Sequence, residues 1–478
     1  MKVCFLVPDG TGLRNYLYSR VMDNFSPNDD VIVWTPLAAE VVEGVGNLHG
    51  RSIHYVKMEL FREPWYCKLL KEAITYARLR HNTRIDANST TMLNWTRKKY
   101  KGGAWLFYKI AALIGILCLN RYASIFLFER WYDKLVGRTR FVLSQQQELK
   151  KMNVDVIFCT HQRSADAAAI VKASSLLGIP SIGAIYSWDN LPKARLLVKS
   201  DKYVVWSEYM RREMNRYYPE IPDRNIVVTG TPQFEFYAER EMYYSRDAFC
   251  KRLGLNPENK ILCFSGNDLT FPCDDLYLSD LAESLMMIPE SRRPQILLRR
   301  CPVDLSGRFD KVIDKYPDLI KVSEPHWKKY PGGWDAIVPT PDDVALLVNV
   351  CLHADAVINV GSTMAHDFAV FDKPAIYINY DQPDVAGWSA VINNQYQQFR
   401  SMPDRECVIW LDRKEDIVAA VQQALEHPTE VAISRQKWLE TIVKHPLSGA
   451  SENIARLCQH DARLRTQKSF REMHVSVN

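Results

Sequence analysis

The chain has 478 residues, of which 47% are hydrophobic and 24% charged, and it contains no collagen-like, coiled-coil or low-complexity stretch. This length predicts two or three domains with large buried cores. The net charge is only +5, and no motif of a nucleic-acid-binding module accompanies it, which disfavours a nucleic-acid partner.

The N-terminal half alternates short apolar runs with segments of helical spacing. A strand is predicted at residues 3–7, followed by a Gly-rich turn and a helix from Leu13. Further strands are predicted at 31–34, 154–159, 181–186, 203–206 and 226–229, and helices at 164–177 and 208–217. Strands that alternate with helices predict parallel βαβ units.

A hinge is predicted at residues 230–232, and a second α/β pattern starts after it. Its strands are predicted at 260–265, 295–299, 321–322, 356–360, 375–380 and 408–411, and its helices at 275–287, 341–352, 364–371 and 413–426. The predicted fold class is therefore α/β, with two doubly wound Rossmann-like domains facing a cleft. The domains are predicted at 1–231 and 232–445, and residues 446–478 as a helix that crosses back to the first domain and a tail.

The turn at 361–363 lies between a predicted strand and a predicted helix. Such a turn places backbone N–H groups at the positive end of a helix dipole, which predicts a phosphate site. Gly361 lets an anion approach the backbone, and the hydroxyls of Ser362 and Thr363 can donate to it. An ordinary Ser/Thr cap of a helix is the alternative.

Basic residues are concentrated in one segment. Residues 97–150 carry eleven basic and three acidic side chains, a net charge of +8, and residues 110–119 are uninterruptedly apolar. A spanning helix needs about 20 apolar residues, so a transmembrane segment is not predicted. The cations, with Trp105, Phe107 and Tyr108, predict that 97–140 contacts an anionic membrane surface. A buried core helix is the alternative.

Several classes of protein are disfavoured by short patterns. The eleven cysteines include no CxxC pair, which predicts a reducing cytosol and neither a disulfide scaffold nor a zinc module. The first apolar run stops at Pro8, so no signal peptide is predicted. Asn15 stands where the dinucleotide fingerprint needs its third glycine, which excludes a nicotinamide enzyme. No DxD metal motif occurs.

Four short motifs keep a common order along the chain. They are Ser-Trp-Asp-Asn-Leu-Pro-Lys at 187–193, Val-Thr-Gly-Thr-Pro at 228–232, the turn within 354–368, and Ser-Gly-Ala-Ser-Glu at 448–452. Together they resemble glycosyltransferases of the GT-B fold, in particular bacterial enzymes of surface polysaccharide and teichoic-acid synthesis, including CDP-glycerol glycerophosphotransferases. The resemblance spans about residues 150–460. Asp189 stands where those phosphotransferases carry a histidine, which favours sugar transfer over glycerophosphate transfer.

The resemblance implies a metal-independent enzyme with no cofactor besides a nucleotide-sugar co-substrate, whose diphosphate is held by cations and a helix N-terminus. With the ends of the predicted strands, it assigns eight residues to the donor side. They are Gly266, Arg299, Arg300, Val338, Gly361, Ser362, Thr363 and Asp367. His366, beside Asp367, is interpreted as structural.

A transfer reaction also needs a base near the acceptor hydroxyl. Asp189 is the first candidate because it occupies the family's base position, and a turn-stabilising role is its alternative. His161, at the end of the strand 154–159, is the second candidate. A loop at the end of the first strand is assigned to the acceptor side, and its residues are Asp9, Gly10, Gly12 and Arg14.

These patterns predict a cytoplasmic enzyme, peripheral on the inner face of the cell membrane. It would move a sugar from a nucleotide-sugar donor to a lipid-linked surface polysaccharide such as a capsule or lipopolysaccharide. A nucleotide-sugar 2-epimerase or a glycerophosphotransferase of related fold is one alternative. A non-catalytic polysaccharide assembly protein that binds no nucleotide is another.

Overall fold

The chain folds into two compact units. The computed structural model describes residues 1–96, 101–330, 337–383 and 385–475, with the backbone alone for 96 and 468–475. The N-terminal domain comprises Met1–Gln233 and Lys444–Asn478, and the C-terminal domain comprises Phe234–Val443. The chain therefore leaves the N-terminal domain after Gln233, whereas the sequence analysis placed the boundary at 231.

A parallel sheet of seven strands forms the centre of the N-terminal domain. The strands are β1 (Lys2–Leu6), β2 (Asp30–Thr35), β3 (Ile53–Lys57), β4 (Val156–Cys159), β5 (Ser181–Ala184), β6 (Lys202–Val205) and β7 (Ile226–Val228). Their order is β3-β2-β1-β4-β5-β6-β7. Every residue of β4 and β5 is buried, as expected for a parallel sheet that is covered on both faces.

The helices of this domain connect the strands. They are α1 (Gly10–Gly12), α2 (Ala39–Leu48), α3 (Trp65–Asp86), α4 (Leu93–Thr96), α5 (Gly102–Leu117), α6 (Tyr122–Gly137), α7 (Arg140–Met152), α8 (Ala165–Leu176) and α9 (Glu208–Tyr217). The helix predicted from Leu13 is a π-helical turn over Leu13–Leu17 that follows α1 directly. Helix α8 begins where the sequence predicts, since the hydroxyl of Ser164 accepts the N–H of Ala167 at 3.2 Å.

The C-terminal domain contains a parallel sheet of six strands and a separate antiparallel pair. The strands are β8 (Ile261–Ser265), β9 (Gln295–Arg299), β10 (Ile320–Ser323), β11 (Trp327–Lys329), β12 (Ile337–Pro339), β13 (Ala356–Asn359), β14 (Ala375–Ile378) and β15 (Ile409–Leu411). The sheet has the order β10-β9-β8-β13-β14-β15, and β11 pairs with β12. The helices are α10 (Arg246–Leu253), α11 (Asp274–Leu285), α12 (Asp310–Lys315), α13 (Pro341–His353), α14 (Met364–Ala369), α15 (Ala390–Asn393), α16 (Ile417–Glu426) and α17 (Ala432–Ile442).

The last helix, α18 (Ala450–Val475), packs on the N-terminal domain. Its Asp461 forms an ion pair with Lys202 at 2.5 Å, and Asn453 Nδ2 donates to the carbonyl of Thr229 at 3.3 Å. Within the described ranges, no helix is both long enough and apolar enough to cross a membrane.

The predicted fold class, two doubly wound α/β units, is confirmed. In each sheet the strand order reverses between two central strands, β1 and β4 in one domain and β8 and β13 in the other. Open α/β sheets bind ligands at such topological switch points, beyond the carboxyl ends of the strands. Ligands are therefore expected to bind next to the residues that follow these four strands.

Candidate functional site

The switch point of the N-terminal sheet carries a partly buried carboxylate–imidazole pair. Asp9 follows β1 and His161 follows β4, and these two strands are hydrogen-bonded neighbours. The Nδ1 atom of His161 lies 2.5 Å from Oδ2 of Asp9. Two residues that are 152 positions apart in sequence thus meet at the position where this fold places ligands.

Asp9 is held as an anion by groups on both sides. Its Oδ1 accepts the N–H of Gly12 at 2.9 Å, while Oδ2 faces His161. Burial alone would raise its pKa, but the hydrogen bond and charge of His161 and the N–H groups of Gly12 and Thr11 outweigh burial and lower the pKa. An ionised Asp9 accepts from Nδ1 and so fixes the tautomer of His161.

His161 faces Asp9 through one ring nitrogen and leaves the other without a partner in the described part of the chain. In a neutral imidazole whose proton is on Nδ1, Nε2 carries a lone pair. That atom is buried and has no hydrogen-bond partner among the described residues. The ring of Tyr186 stands edge-on to the imidazole, with the centroids 4.2 Å apart. This is the arrangement of a general base whose orientation is fixed by a carboxylate.

The loop after β1 is shaped by close packing. A Cβ at Gly12 would lie 2.2 Å from Oγ1 of Thr160, so the short helix α1 fits against β4 only with glycine there. Gly10 is buried in the same turn. Arg14 donates from Nε to the side chain of Asn15 at 2.9 Å. Of the four residues predicted for this loop, Asp9 faces His161, and Gly12 makes that contact sterically feasible.

Asp189 lies in the loop after β5, and its carboxylate is already engaged. Ser187 Oγ donates to it at 2.5 Å, Asn190 Nδ2 donates at 2.8 Å, and Lys193 forms an ion pair with it. Burial alone would raise its pKa, but the charge and hydrogen bond of Lys193 and the other two donors lower the pKa to about 2. These contacts favour the turn-stabilising alternative over a role as base.

Gln162 connects this loop to the loop of His161. Its Nε2 donates to Asn190 Oδ1 at 3.0 Å, and its Oε1 accepts the N–H of Tyr186 at 3.2 Å. The side chain is buried. Gln162 therefore fixes both Tyr186 and the 187–193 turn relative to His161, a role that its position in the sequence did not suggest.

The switch point of the C-terminal sheet carries the turn at 361–363, which is held by the domain itself. Gly361 has a φ of +63°, and a Cβ there would lie 2.7 Å from Phe399 Cζ. The N–H of Ser362 donates to Asn359 Oδ1 at 2.8 Å, and the Tyr377 hydroxyl donates to the Ser362 carbonyl at 2.9 Å. The expectation that the backbone N–H groups of this turn bind a phosphate is corrected at Ser362, whose N–H is already engaged.

The helix after this turn is shorter than predicted and ends at Ala369 instead of 371. Asp367 is buried within it. His366 is fully buried, with its ring 4.2 Å from that of Trp438, and burial lowers its pKa to about 3. A neutral, enclosed imidazole agrees with the structural interpretation of His366.

The two arginines predicted to hold a diphosphate are separated. Arg299 is buried, and its Nη2 lies 2.7 Å from Asp343 Oδ1. Arg300 is paired with Asp310 at 2.8 Å and with Glu324 at 3.5 Å. Because side chains that follow one another along a strand end point in opposite directions, the pair does not converge. Both arginines assigned to the diphosphate are therefore already engaged by carboxylates of the domain.

Asp343 explains why Arg299 is buried. Its carboxylate also accepts the N–H of His326 at 2.8 Å and the indole N–H of Trp327 at 2.7 Å. Arg299 thus joins β9, β11 and α13. Val338 lies in β12, buried and paired with Lys328, and the residues just before β12, 331–336, lie outside the described part of the chain.

Gly266, at the end of β8, belongs to a second buried ionic cluster. Its N–H donates to the Arg299 carbonyl at 3.0 Å. The following N–H, of Asn267, donates to Asp274 Oδ2 at 2.5 Å, and Arg308 donates to the Asn267 carbonyl at 2.7 Å. Burial raises the pKa of Asp274 to about 7. The only sequence signal for Asp274 is its place beside a second acidic residue, Asp275.

The described residues contain no group of three or more His, Cys, Asp or Glu side chains arranged to hold a metal ion. The two switch points differ in the groups that they present. The N-terminal one offers a proton acceptor, and the C-terminal one offers a rigid backbone turn.

Solved structures with a similar fold exist, but sequence comparison identifies no family for this chain. No family model and no curated protein sequence matches this chain. Among solved structures, the UDP-GlcNAc 2-epimerase from Methanocaldococcus jannaschii matches with a TM-score of 0.52 and 12% identity, over 96% of this chain and 100% of the other. The enzyme from Neisseria meningitidis bound to UDP-GlcNAc matches with a TM-score of 0.50 and 9% identity, over 96% and 99%.

A third epimerase, from Rickettsia bellii, matches with a TM-score of 0.50 and 13% identity, over 97% of each chain. At such identities the likeness establishes the fold, a GT-B-type pair of Rossmann-like domains, and this confirms the fold that the sequence motifs implied. These proteins are epimerases, the class that the sequence analysis kept as an alternative. The likeness to transferases remains a resemblance of motifs.

Proposed function

We propose that this protein is a nucleotide-sugar enzyme, and specifically a 2-epimerase of a UDP-linked N-acetylhexosamine. The Asp9–His161 pair at the N-terminal switch point carries the proposal. The likeness of the whole chain to three UDP-GlcNAc 2-epimerases supports the choice of substrate.

The chemistry of epimerisation requires what this pair offers. Inverting C2 breaks one C2–H bond and forms another on the opposite face, so that a base must accept a proton and a proton must be returned. No carbonyl activates this hydrogen, so the electron pair of the C2–H bond forms a C1=C2 double bond as UDP leaves C1, and UDP returns to C1 when the proton is returned to C2. The reaction consumes no acceptor and no oxidant. His161 Nε2 is the proposed base, and Asp9 stabilises the imidazolium that forms when the proton is taken.

The C-terminal domain is proposed to hold the nucleotide. The turn at 361–363 follows β13 at the switch point, and Gly266 follows the neighbouring strand β8. In this proposal the backbone around Gly361 and the hydroxyls of Ser362 and Thr363 contact the diphosphate. Asp367 contacts the ribose, and the backbone of Val338 contacts the base.

Product analysis without an acceptor tests the proposal. The protein is incubated with UDP-GlcNAc alone, and the sugar nucleotides are separated and identified by NMR. We expect a UDP-linked 2-epimer to form, with little free UDP. Calorimetry against UDP supplies the companion measurement, and Ser362→Ala with Thr363→Ala is expected to weaken UDP binding about tenfold or more. Absence of both an epimer and UDP binding would leave the assembly-protein alternative.

A sugar transferase that acts on a lipid-linked acceptor is the second candidate. The observation in its favour is the exposed apolar surface of α5 and α6, which bears cations and suits a protein that works at a lipid surface. A transferase also needs a base, and His161 would then take the acceptor's hydroxyl proton. UDP release that depends on an added lipid-linked glycan, without any epimer, would favour this candidate.

A further inference from the structure

Helix α5 has its large apolar residues on the outside and its small residues on the inside. Ala111 and Gly115 are its buried positions. Gly115 lies against α3 so closely that a Cβ there would be 2.8 Å from Tyr76 Cδ1 and 3.0 Å from the Ala73 carbonyl oxygen. Six large apolar side chains of α5 are exposed, whereas Phe107, Tyr108 and Ile114 are partly buried; the exposed ones are Trp105, Leu106, Ile110, Leu113, Ile116 and Leu117. A helix that packs in water has the reverse pattern.

Helix α6 extends this surface. Its Phe126, Leu127 and Trp131 are exposed, with Trp131 at 50% of its full accessibility. Ile125 of α6 and Ala111 of α5 are buried in one small cluster with α3, so that the two helices are packed on the same support. We call the exposed apolar residues of α5 and α6 together the α5–α6 face. So many exposed large apolar side chains on two helices of one support mark an interaction site.

The cations of these helices are exposed and unpaired, whereas the acids are neutralised. Glu129 is paired with Arg78 and Lys199, and Asp133 is paired with Lys172. The exposed cations in and beside α5 and α6 are Lys101, Lys109, Arg121, Arg130, Lys134 and Arg138. None of them forms an ion pair with a carboxylate of the described residues. The surface therefore combines apolar side chains with a net positive charge.

An aromatic and a basic side chain lie next to each other on the exposed side of α5. The ammonium of Lys109 lies 5.5 Å from the centre of the Trp105 ring. Trp and Tyr favour the boundary between headgroups and acyl chains, and Lys extends from an apolar surface toward lipid phosphates. Helix α5 has 16 residues and a length of about 24 Å. It is thus too short to cross a hydrocarbon layer of about 30 Å.

We propose that the α5–α6 face binds the surface of an anionic lipid bilayer, with α5 lying in the plane of the headgroups. Charge decides between a bilayer and a second copy of this chain. A two-fold dimer through this face would bring two cationic surfaces together. An anionic headgroup layer instead complements both the cations and the apolar side chains. The proposal is independent of the reaction that the protein catalyses.

Vesicle sedimentation of the full chain tests this. The purified protein is mixed with phosphatidylcholine vesicles, with or without about one third phosphatidylglycerol. We expect binding to the anionic vesicles, at least about tenfold weaker binding to pure phosphatidylcholine, and loss of binding as salt is raised. The apolar variant Leu113→Gln with Leu117→Gln and the charge variant Lys109→Gln with Arg130→Gln are each expected to weaken binding about tenfold or more.

A matched control changes exposed apolar residues elsewhere. Met287→Gln with Ile433→Gln alters two exposed side chains of the C-terminal domain and is expected to bind vesicles as the wild type does. All substituted positions are exposed, and thermal unfolding followed by circular dichroism checks that each variant is folded. UDP calorimetry reports separately on the nucleotide site.

Three results would overturn the proposal. The first is absence of binding to anionic vesicles. The second is binding that neither double variant of the α5–α6 face reduces. The third is a dimer mass by light scattering that the Leu113→Gln, Leu117→Gln variant abolishes without any vesicle binding by the wild type. That result would assign the face to a second copy of the chain.

Discussion

The two sheets place different chemistry at the same topological position. At the N-terminal switch point, Asp9 and His161 form a partly buried hydrogen bond that leaves Nε2 of the imidazole without a partner among the described residues. At the C-terminal switch point, Asn359 and Tyr377 hold the turn at Ser362 from both sides. The first site is suited to exchange a proton, and the second to keep a backbone segment in a fixed shape. One fold position thus serves either purpose, depending on which side chains follow the strands.

The largest effect is expected from removing the base. His161→Gln keeps an N–H that donates to Asp9 but has no titratable nitrogen. We expect kcat to fall about 10²- to 10⁴-fold, while UDP affinity measured by calorimetry stays within about twofold. The exposed His54 on β3, changed to Gln, is the matched control and should leave kcat unaltered. If His161→Gln lowered UDP affinity by as large a factor as it lowers kcat, this would contradict the assignment of the base to the N-terminal domain and of UDP binding to the C-terminal domain.

The next effect tests the rigidity of the C-terminal turn. Gly361→Ala combines a left-handed backbone with a Cβ 2.7 Å from Phe399, and we expect the free energy of unfolding to fall by about 2–5 kcal/mol. Gly387→Ala also has a positive φ, but its Cβ would meet nothing within 4 Å, so that about 1–2 kcal/mol is expected. Urea unfolding measures both, and equal losses would argue against tight packing at the turn.

A pH-dependent effect is expected from the ionic cluster under Gly266. The pKa of Asp274 rises from 3.8 to about 7 because the carboxyl is buried. Between these two values the folded state binds more protons than the unfolded state, so that this group makes stability fall as pH rises from about 4 to 7. Asp274→Asn keeps an acceptor for the Asn267 N–H and removes that slope.

At pH 8 we expect Asp274→Asn to be more stable than the wild type by at most about 4 kcal/mol, since one pKa unit corresponds to about 1.4 kcal/mol. At pH 4 the two proteins should unfold alike. Thermal unfolding at both pH values measures this, with the adjacent Asp275→Asn as control. Unchanged pH dependence in Asp274→Asn would show that the carboxyl is already ionised at neutral pH.

The smallest effect is expected from changing Asp189, and its comparison with His161→Gln shows which of the two residues is the base. The pKa of Asp189 is lowered to about 2, so its contribution is present above the unfolded value of 3.8 and lost as pH falls toward 2. Asp189→Asn is expected to cost about 2 kcal/mol of stability at neutral pH and to change kcat less than about tenfold. A loss of kcat as large as in His161→Gln would restore Asp189 as the base.

Much of the fold was predictable because its signal is local. The apolar runs that became β1, β4, β8 and β13 are buried nearly throughout, and a parallel sheet covered on both faces leaves that pattern in the sequence. Strand β3 was missed because it lies at the sheet edge and is only partly buried. The helix predicted from Leu13 was wrong in type, because α1 and the π-helical turn pack within the space that Gly12 leaves beside Thr160.

The site was predictable only in part because its contacts are long-range. Sequence placed Asp9 and His161 separately at strand ends, but not their pairing across 152 positions. The adjacent arginines at the end of β9 looked like a joint cation site, whereas Asp343 and Asp310, which are distant in sequence, divide them. The preference for Asp189 rested on alignment with a family motif, and the motif does not reveal that Lys193 and Asn190 already occupy the carboxylate.

Exchange of the C2 hydrogen with solvent reports on the proposed base without any coupled step. Wild-type protein and His161→Gln are incubated with UDP-GlcNAc in D2O without any acceptor, and proton NMR follows the C2 hydrogen. If the Asp9–His161 pair is the base of an epimerase, the wild type will incorporate deuterium at C2 and form the 2-epimer, while His161→Gln will do neither at a comparable rate. Retention of the C2 hydrogen in the wild type, with UDP bound, would contradict the account.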